Sequence, residues 1–345
     1  MALSGVITRR RLMQAAGAAA LAAPAIRTAA AADAIRLSLE FRIYGANAPM
    51  FFGAETGIFR DLGIEAAFDG SGGSGDSLTR VASGTHAFGL SDASAVVEFA
   101  AENPEAAPRV VMTIFDRFPA VVLSLKRKPI KSAQDLVGVR VGTGIVDAGA
   151  KILPALLALN HIDPSSIHRL TTDVKLREAM LLRGDVDAIV GFDYTASFNL
   201  VDNGIKLDDI NLLYFSDFGF DFPGNSLIAG PATIANHPDL VRRMALAVAK
   251  CWVASARDRA GAIASVLRRD RLLVPATERA RMDWVIDKLV LTPSVRANGL
   301  GYADPARLAR GIEVLKDGFH LAKPPTVEQV FDTRFLPAAA DRTFG

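Results

Sequence analysis

Residues 70–77 read GSGGSGDS, four glycines and three serines with one acid, Asp76, ahead of the helical run LTRVASG. Bare backbone N–H groups at a helix start can cradle an anion. A P-loop, however, carries Lys and then Ser or Thr after its last glycine, and here Gly75 is followed by Asp76 and Ser77. The dinucleotide spacing fails as well, because Gly73 and Gly75 fall off it. A nucleophile elbow fails because GGSGD ends in Asp where a second glycine belongs. Two readings remain for this stretch. It is a turn with an acidic helix cap, or a donor wall in which Gly72, Gly73 and Ser74 face a polar ligand.

Catalytic constellations do not assemble elsewhere. His86, His161, His168, His237 and His320 are scattered, with no H-E-x-x-H pair to hold zinc. VGTGIVDAG begins like a dinucleotide motif but places Asp147 where the third glycine belongs. The only cysteine, Cys251, lies in the apolar helical stretch LAVAKCWVASA and reads as a buried structural thiol. No cofactor, metal site or disulfide is expected, and the chain reads as a binder with no turnover.

Strand and helix alternate from Ile35 onward, and this order must position any site. IRLSLEF, IEAAF, HAFGLS and RVVMTIF read as strands of a first α/β unit, the last as a continuous apolar run suited to a parallel sheet. The pattern then restarts with AVVLSLKR, VRVGT, VDAIVGF and INLLYF, interleaved with helices at 147–159, LREAMLLRG and TASFNLVDNG. NSLIAG is a further extended piece, and everything beyond Pro231 reads helical. The fold class is α/β, with one unit inserted between another and a helical tail, and crossings between the two at 120–125 and 225–229.

In such folds a ligand lies outside the carboxyl ends of the strands. That ring contains Tyr44, Asn47, Gly72, Gly73, Ser74, Ser91, Asp92, Phe115, Asp116, Thr143, Asp147, Asp193, Tyr194, Phe218 and Asp221. Aromatics supply flat contact area, Gly and Ser supply donors, and the acids supply acceptors. Arg42 and Arg117 are its only evident bases. So many carboxylates in a partly dry cleft repel an anion, so a neutral or amino-bearing ring suits the site better than a sulfonate or nitrate.

The first 32 residues combine TRRRLMQ with an Ala-rich run from Ala15 to Ile26 and a small-residue site after Ala32, the pattern of a twin-arginine export signal. Removing Arg9, Arg10, Arg11 and Arg27 from 39 basic residues leaves 35 against 37 acidic ones. The mature chain is therefore slightly acidic, which argues against nucleic acid as a partner. No cysteine sits where a lipid anchor would attach, so a periplasmic, unanchored protein is expected.

Longer stretches resemble a family. NAPMFFGAETGIFRDLGIEAAFDGSGGSGDSLTRVASGTHAFGLSDAS, IKSAQDLVGVRVG and LLRGDVDAIVG are similar to segments of ABC-importer substrate-binding proteins. The branch is the one that includes binders of thiamine pyrimidine precursors, nitrate, taurine and alkanesulfonates. The resemblance covers roughly residues 36–250. It implies a two-lobed type II periplasmic binding protein fold with a ligand cleft between lobes: lobe 1 over 33–124, lobe 2 over 125–226, and a return to lobe 1 with C-terminal helices over 227–345. It implies a monomer that closes on a small-molecule ligand and delivers it to a membrane permease and ATPase. The ligand expected is a heterocycle such as a thiamine-precursor pyrimidine, with sulfonate, taurine or nitrate as the alternative and an exported hydrolase or synthase as the second. The pyrimidine synthase relatives use a cysteine cluster, which one cysteine cannot supply.

Overall fold

The computed structural model describes residues 32–144, 148–173 and 176–344. The chain divides into Met1–Ala32 and Asp33–Gly345, and the fold belongs to the second unit. The expected export signal and Asp147 lie outside the described residues.

In chain order, β1 (Asp33–Ser38) leads through a short turn at Gly45–Asn47 to α1 (Ala48–Glu55), α2 (Ile58–Asp61), β2 (Ile64–Asp69), α3 (Ser74–Ala82), β3 (Phe88–Asp92), α4 (Ala93–Glu102) and β4 (Arg109–Thr113). The second series runs β5 (Ala120–Leu125), β6 (Arg140–Gly144), α5 (Ala148–Leu159), β7 (His168–Thr172), α6 (Arg177–Arg183), β8 (Ala188–Phe192), α7 (Asp193–Asp202) and β9 (Ile210–Tyr214). The return comprises β10 (Asn225–Ala229), α8 (Pro231–Asn236), α9 (Pro238–Arg257), α10 (Arg259–Arg269), α11 (Pro275–Trp284), α12 (Pro293–Asn298), α13 (Pro305–Gly318) and α14 (Val327–Val330).

Two five-stranded sheets result, ordered β2-β1-β3-β10-β4 and β7-β6-β8-β5-β9. Each is mixed. β1, β2 and β3 are parallel, while β10 runs antiparallel between β3 and β4. In the second sheet β5 runs antiparallel between β8 and β9. β4 was expected to lie in a parallel sheet on its apolar run. It is instead an edge strand, paired with β10 and capped by a bridge from Val110 to Phe331. Its apolar character comes from packing under the C-terminal segment.

The strands expected as crossings, 120–125 and 225–229, are each internal to one sheet. The chain passes between sheets just before them, at 114–119 and 215–224. Arg307 on α13 holds both passages. Its guanidinium donates to the Asp116 carboxylate and carbonyl at 2.6 and 2.5 Å and to Asp221 at 2.8 Å. Thr292 donates to the other Asp116 oxygen. Beyond α13 the tail is mostly short turns and irregular chain rather than the continuous helix expected, because residues 319–344 contain prolines and pack as a covering layer.

Local chemistry accounts for the elements that matter here. Asp92 caps α4 by accepting from the Ser94 N–H at 2.9 Å. Gly184, at φ +80, ends α6. Met282, Val285, Ile286, Leu289 and Val290 bury the end of α11 and the turn after it in the core of the first sheet.

Because Asp116 is buried and Arg307 nearly so, Arg307→Leu leaves a carboxylate uncompensated. We expect a loss of about 3 kcal/mol in urea unfolding. Arg36→Leu, which removes an exposed pair with Asp69, should cost less than about 1 kcal/mol. Equal costs would mean that the clamp between the crossings contributes nothing special.

Candidate functional site

Glu40 follows β1 by two residues and is 4% exposed. Its Oε1 accepts from the Tyr44 hydroxyl at 3.0 Å and the Asn47 amide at 2.7 Å. Among the described residues its Oε2 has no hydrogen-bond partner, nor does the Oδ1 of buried Asn225. Burial pushes the Glu40 carboxyl up from its ordinary value, against the opposing effect of Tyr44, Asn47 and Asn225 beside it. Asn225 begins β10 opposite Asp92 at the end of β3. Glu40 Oε2 and Asn225 Oδ1 thus stand buried at the strand ends without a hydrogen bond, the Asn225 side chain lying beside the Glu40 carboxyl.

Aromatic rings from both sheets meet at this point. Tyr44 and Tyr194 lie 6.1 Å apart, centroid to centroid, tilted by 34°. Phe115 stands edge-on to Tyr194 at 5.5 Å, and Phe192 stacks on it at 6.1 Å. Both tyrosines are buried, and burial raises their hydroxyls well above the usual range. The rings pack on one another, with the two acceptors beside them.

The remaining expected residues divide. Tyr44, Asn47, Phe115 and Tyr194 come together around Glu40. Ser91 and Ser74 support that wall: Ser91 Oγ donates to the Ser74 carbonyl at 3.2 Å, and Ser74 Oγ accepts from the Asp92 N–H at 3.1 Å. Asp92 is committed to capping α4, its Oδ1 also accepting from Ser94 Oγ at 2.6 Å. Thr143 is buried on β6 and shares a hydrogen bond with Thr171. Asp116 and Asp221 belong to the Arg307 clamp, not to the ring of rings. Phe218 turns into a separate pocket of about 460 Å³ on the second sheet, with Lys131, Asn160, Asn211 and Asp217.

The glycine loop is less of a donor wall than its composition suggests. The Gly72 N–H donates to Asp76 at 2.9 Å and the Gly73 N–H to Ser71 at 3.2 Å. Gly73 sits at φ +141, where a side chain is strained whatever the space around it. A substitution there tests backbone strain before it tests ligand contact.

Asp193 starts α7 fully buried. It accepts from the Tyr194 N–H at 2.7 Å, the Tyr214 hydroxyl at 2.7 Å and the Trp284 indole at 2.8 Å. Burial outweighs these donors and Arg117 and raises its carboxyl to about 6.

Glu40, Asn225 and Trp284 were missed in the sequence. Glu40 reads as an outward position of a strand through Phe41, whereas β1 stops at Ser38. The signal available was an acid inside an apolar run. His86 pairs with Asp69 at 2.9 Å, and burial pushes the Cys251 thiol up. Among the described residues no cluster of His, Cys, Asp and Glu could hold a metal ion, and no helix is long and apolar enough to cross a membrane.

The stability of Asp193 against pH follows from these contacts. Its folded value, about 6, lies above the ordinary 3.8. The native state therefore binds a proton that the unfolded state lacks between those values, and its stabilising contribution is full below pH 3.8 and lost as pH rises toward 6. Relative to Asp193→Asn, the wild type should lose on the order of 3 kcal/mol in urea unfolding between pH 4 and 7. A constant difference across that range would refute the assignment.

Comparison with known proteins gives the family. A model described as NMT1/THI5 like matches residues 46–260, and the chain belongs to that family. A riboflavin-binding protein of Chloroflexus aurantiacus is 25% identical over 339 residues, covering 94% of this chain and 92% of its own. A 4-amino-5-hydroxymethyl-2-methylpyrimidine phosphate synthase of Legionella pneumophila is 29% identical over 145 residues, 42% of this chain and 44% of its own. The periplasmic aliphatic sulphonate binding protein of Escherichia coli has the same fold, with a TM-score of 0.68 at 14% identity over 87% of this chain and 92% of its own. The fold is that of the periplasmic binding proteins, two mixed five-stranded sheets with helices around them.

Proposed function

We propose that this member of the NMT1/THI5-like family is the solute-binding component of an ABC importer. It works in the periplasm, holds a small polar heterocycle between its lobes and hands it to a membrane permease and its ATPase. The ligand class proposed is that of the thiamine-precursor pyrimidines.

The observation that carries this reading is the pair of buried, donorless acceptors, Glu40 Oε2 and Asn225 Oδ1, beside the tyrosines. Leaving a buried acceptor unsatisfied costs about 1–3 kcal/mol, and more when it is charged. A ligand bearing an amino group next to a ring nitrogen returns those hydrogen bonds beside the Tyr44 and Tyr194 rings. An anion brings further acceptors to a carboxyl and gains nothing there. A flavin is the second reading, favoured by the riboflavin-binding relative that aligns over 94% of this chain. Its ring system also carries an N–H between acceptors.

Binding is taken to draw the lobes together, with the backbone rotation absorbed at 114–119 and 215–224 under the Arg307 clamp. No turnover accompanies it.

The test is calorimetry and thermal shift on the chain from Asp33, with 4-amino-5-hydroxymethyl-2-methylpyrimidine, riboflavin, taurine and nitrate as separate probes. A heterocycle should raise the melting temperature by mass action. Glu40→Gln should weaken that binding at least about tenfold, on the order of 1.4 kcal/mol, and leave the unliganded protein as stable as before or more so. Binding of taurine or nitrate that tightens in Glu40→Gln, with no heterocycle bound, would replace this reading with the anion one.

A further inference from the structure

We propose that α11 is a strap that sets the closure of the lobes and positions both site tyrosines without touching the ligand. Thr277, Arg281 and Trp284 fall at i, i+4 and i+7 and share one helix face. Each holds α7 of the second lobe. Thr277 Oγ1 donates to Asp202 at 2.9 Å, Arg281 to the Tyr194 carbonyl at 2.6 Å, and the Trp284 indole to Asp193 at 2.8 Å. The three anchors run antiparallel along α7 from its last residue to its first. Between them the Arg281 guanidinium and the Trp284 ring both pack on Phe198, at 5.1 and 6.1 Å.

The strap is seated in the first lobe. Glu278 accepts from the Gly45 N–H at 2.5 Å. A Cβ at Gly45 would collide with the Glu278 carbonyl, so the two backbones meet with no room for a side chain. Met282, at the next turn, is buried in the first lobe's core. Glu278 and Arg281 also pair with each other at 3.0 and 3.3 Å, both buried. This one ion pair thus joins the backbone beside Tyr44 to the backbone of Tyr194. Spacing between the two rings depends on it, with Arg281 a further 5.4 Å from the Tyr44 ring. Glu278 and Arg281 are positioning residues in this scheme. Truncating either one strands a buried charge, so the outer anchors are the useful probes.

Closure is the motion that the binding reading requires, and the readouts here need no ligand, so a wrong ligand class leaves them intact. Thr277→Val removes one donor while keeping the side chain's bulk, Trp284→Phe removes the indole donor with part of the ring, and Thr277→Ser keeps the hydroxyl. Hydrogen–deuterium exchange on the unliganded chain from Asp33 should show amides over Asp193–Ser197 exchanging at least about tenfold faster in Trp284→Phe, about 1.4 kcal/mol. The amides near Asp202 should respond most in Thr277→Val. Peptides from β1 and β3 should be unchanged, Thr277→Ser should match the wild type, and small-angle scattering should show a larger radius of gyration in both donor-less variants. Exchange that rises equally in β1, β3 and α7, in step with a lower melting temperature, would make α11 an ordinary core helix and overturn the proposal. Unchanged exchange in α7 would overturn it too.

Discussion

Each sheet contains one strand that enters against the others, and the rest of the molecule follows from that. β5 joins the second sheet antiparallel to β8, and β10 returns to the first antiparallel to β3. An antiparallel neighbour starts where the parallel strands finish. Both crossings are therefore fixed at the carboxyl edges of β1, β3, β6 and β8, the edges at which Glu40, Asp92, Thr143 and Asp193 emerge. The geometry that lets the chain pass between lobes is thus the geometry that gathers the site. Arg307 can hold Asp116 and Asp221 together for the same reason.

The charges near this edge are handled in different ways. Asp116 and Glu278 are matched by arginines within hydrogen-bonding distance. Arg177 and Glu178 form a similar buried pair against Val190 and Gly191. Asp193 has only neutral donors in direct contact, and Glu40 has neutral donors on one oxygen and none on the other. A protein interior rarely leaves a carboxyl in that condition without a partner from elsewhere. The contrast between Glu40 and the matched acids is what the proposed ligand contact rests on.

Much of the architecture was legible in the sequence. Alternating strand and helix signals placed two α/β units, whereas Asp92, read as a member of the ligand ring, caps α4. Tyr44, Asn47, Phe115 and Tyr194 were grouped through their strand ends by local patterning, and they do lie together around Glu40. Glu40 was not, because a strand drawn three residues too long turned a strand-end acid into a surface one. Asp116 and Asp221 look like cleft acids until Arg307, 191 and 86 positions away from them, is known to lie between them. The glycine loop reads as a row of free donors, yet Asp76 and Ser71 occupy two of them at a range that sequence spacing alone does not reveal. The strap was invisible as such: ERARMDW has the charge pattern of a solvated helix, and only the path of α7 shows that Arg281 is buried.

The interleaving of strands also orders the assembly of the chain. Every strand of the second sheet lies between Ala120 and Tyr214, so that lobe is complete in one continuous segment. The first sheet is not. β4 has no strand neighbour until Asn225–Ala229 has been made, more than a hundred residues later, and its other edge waits for Phe331. Pairings across such distances close slowly, since a long loop must be ordered before any contact rewards it. A growing chain therefore carries a finished second lobe while the apolar edge of β4, Val110 to Met112, stays uncovered. During that interval the first lobe is the part of the molecule open to mispairing with another chain.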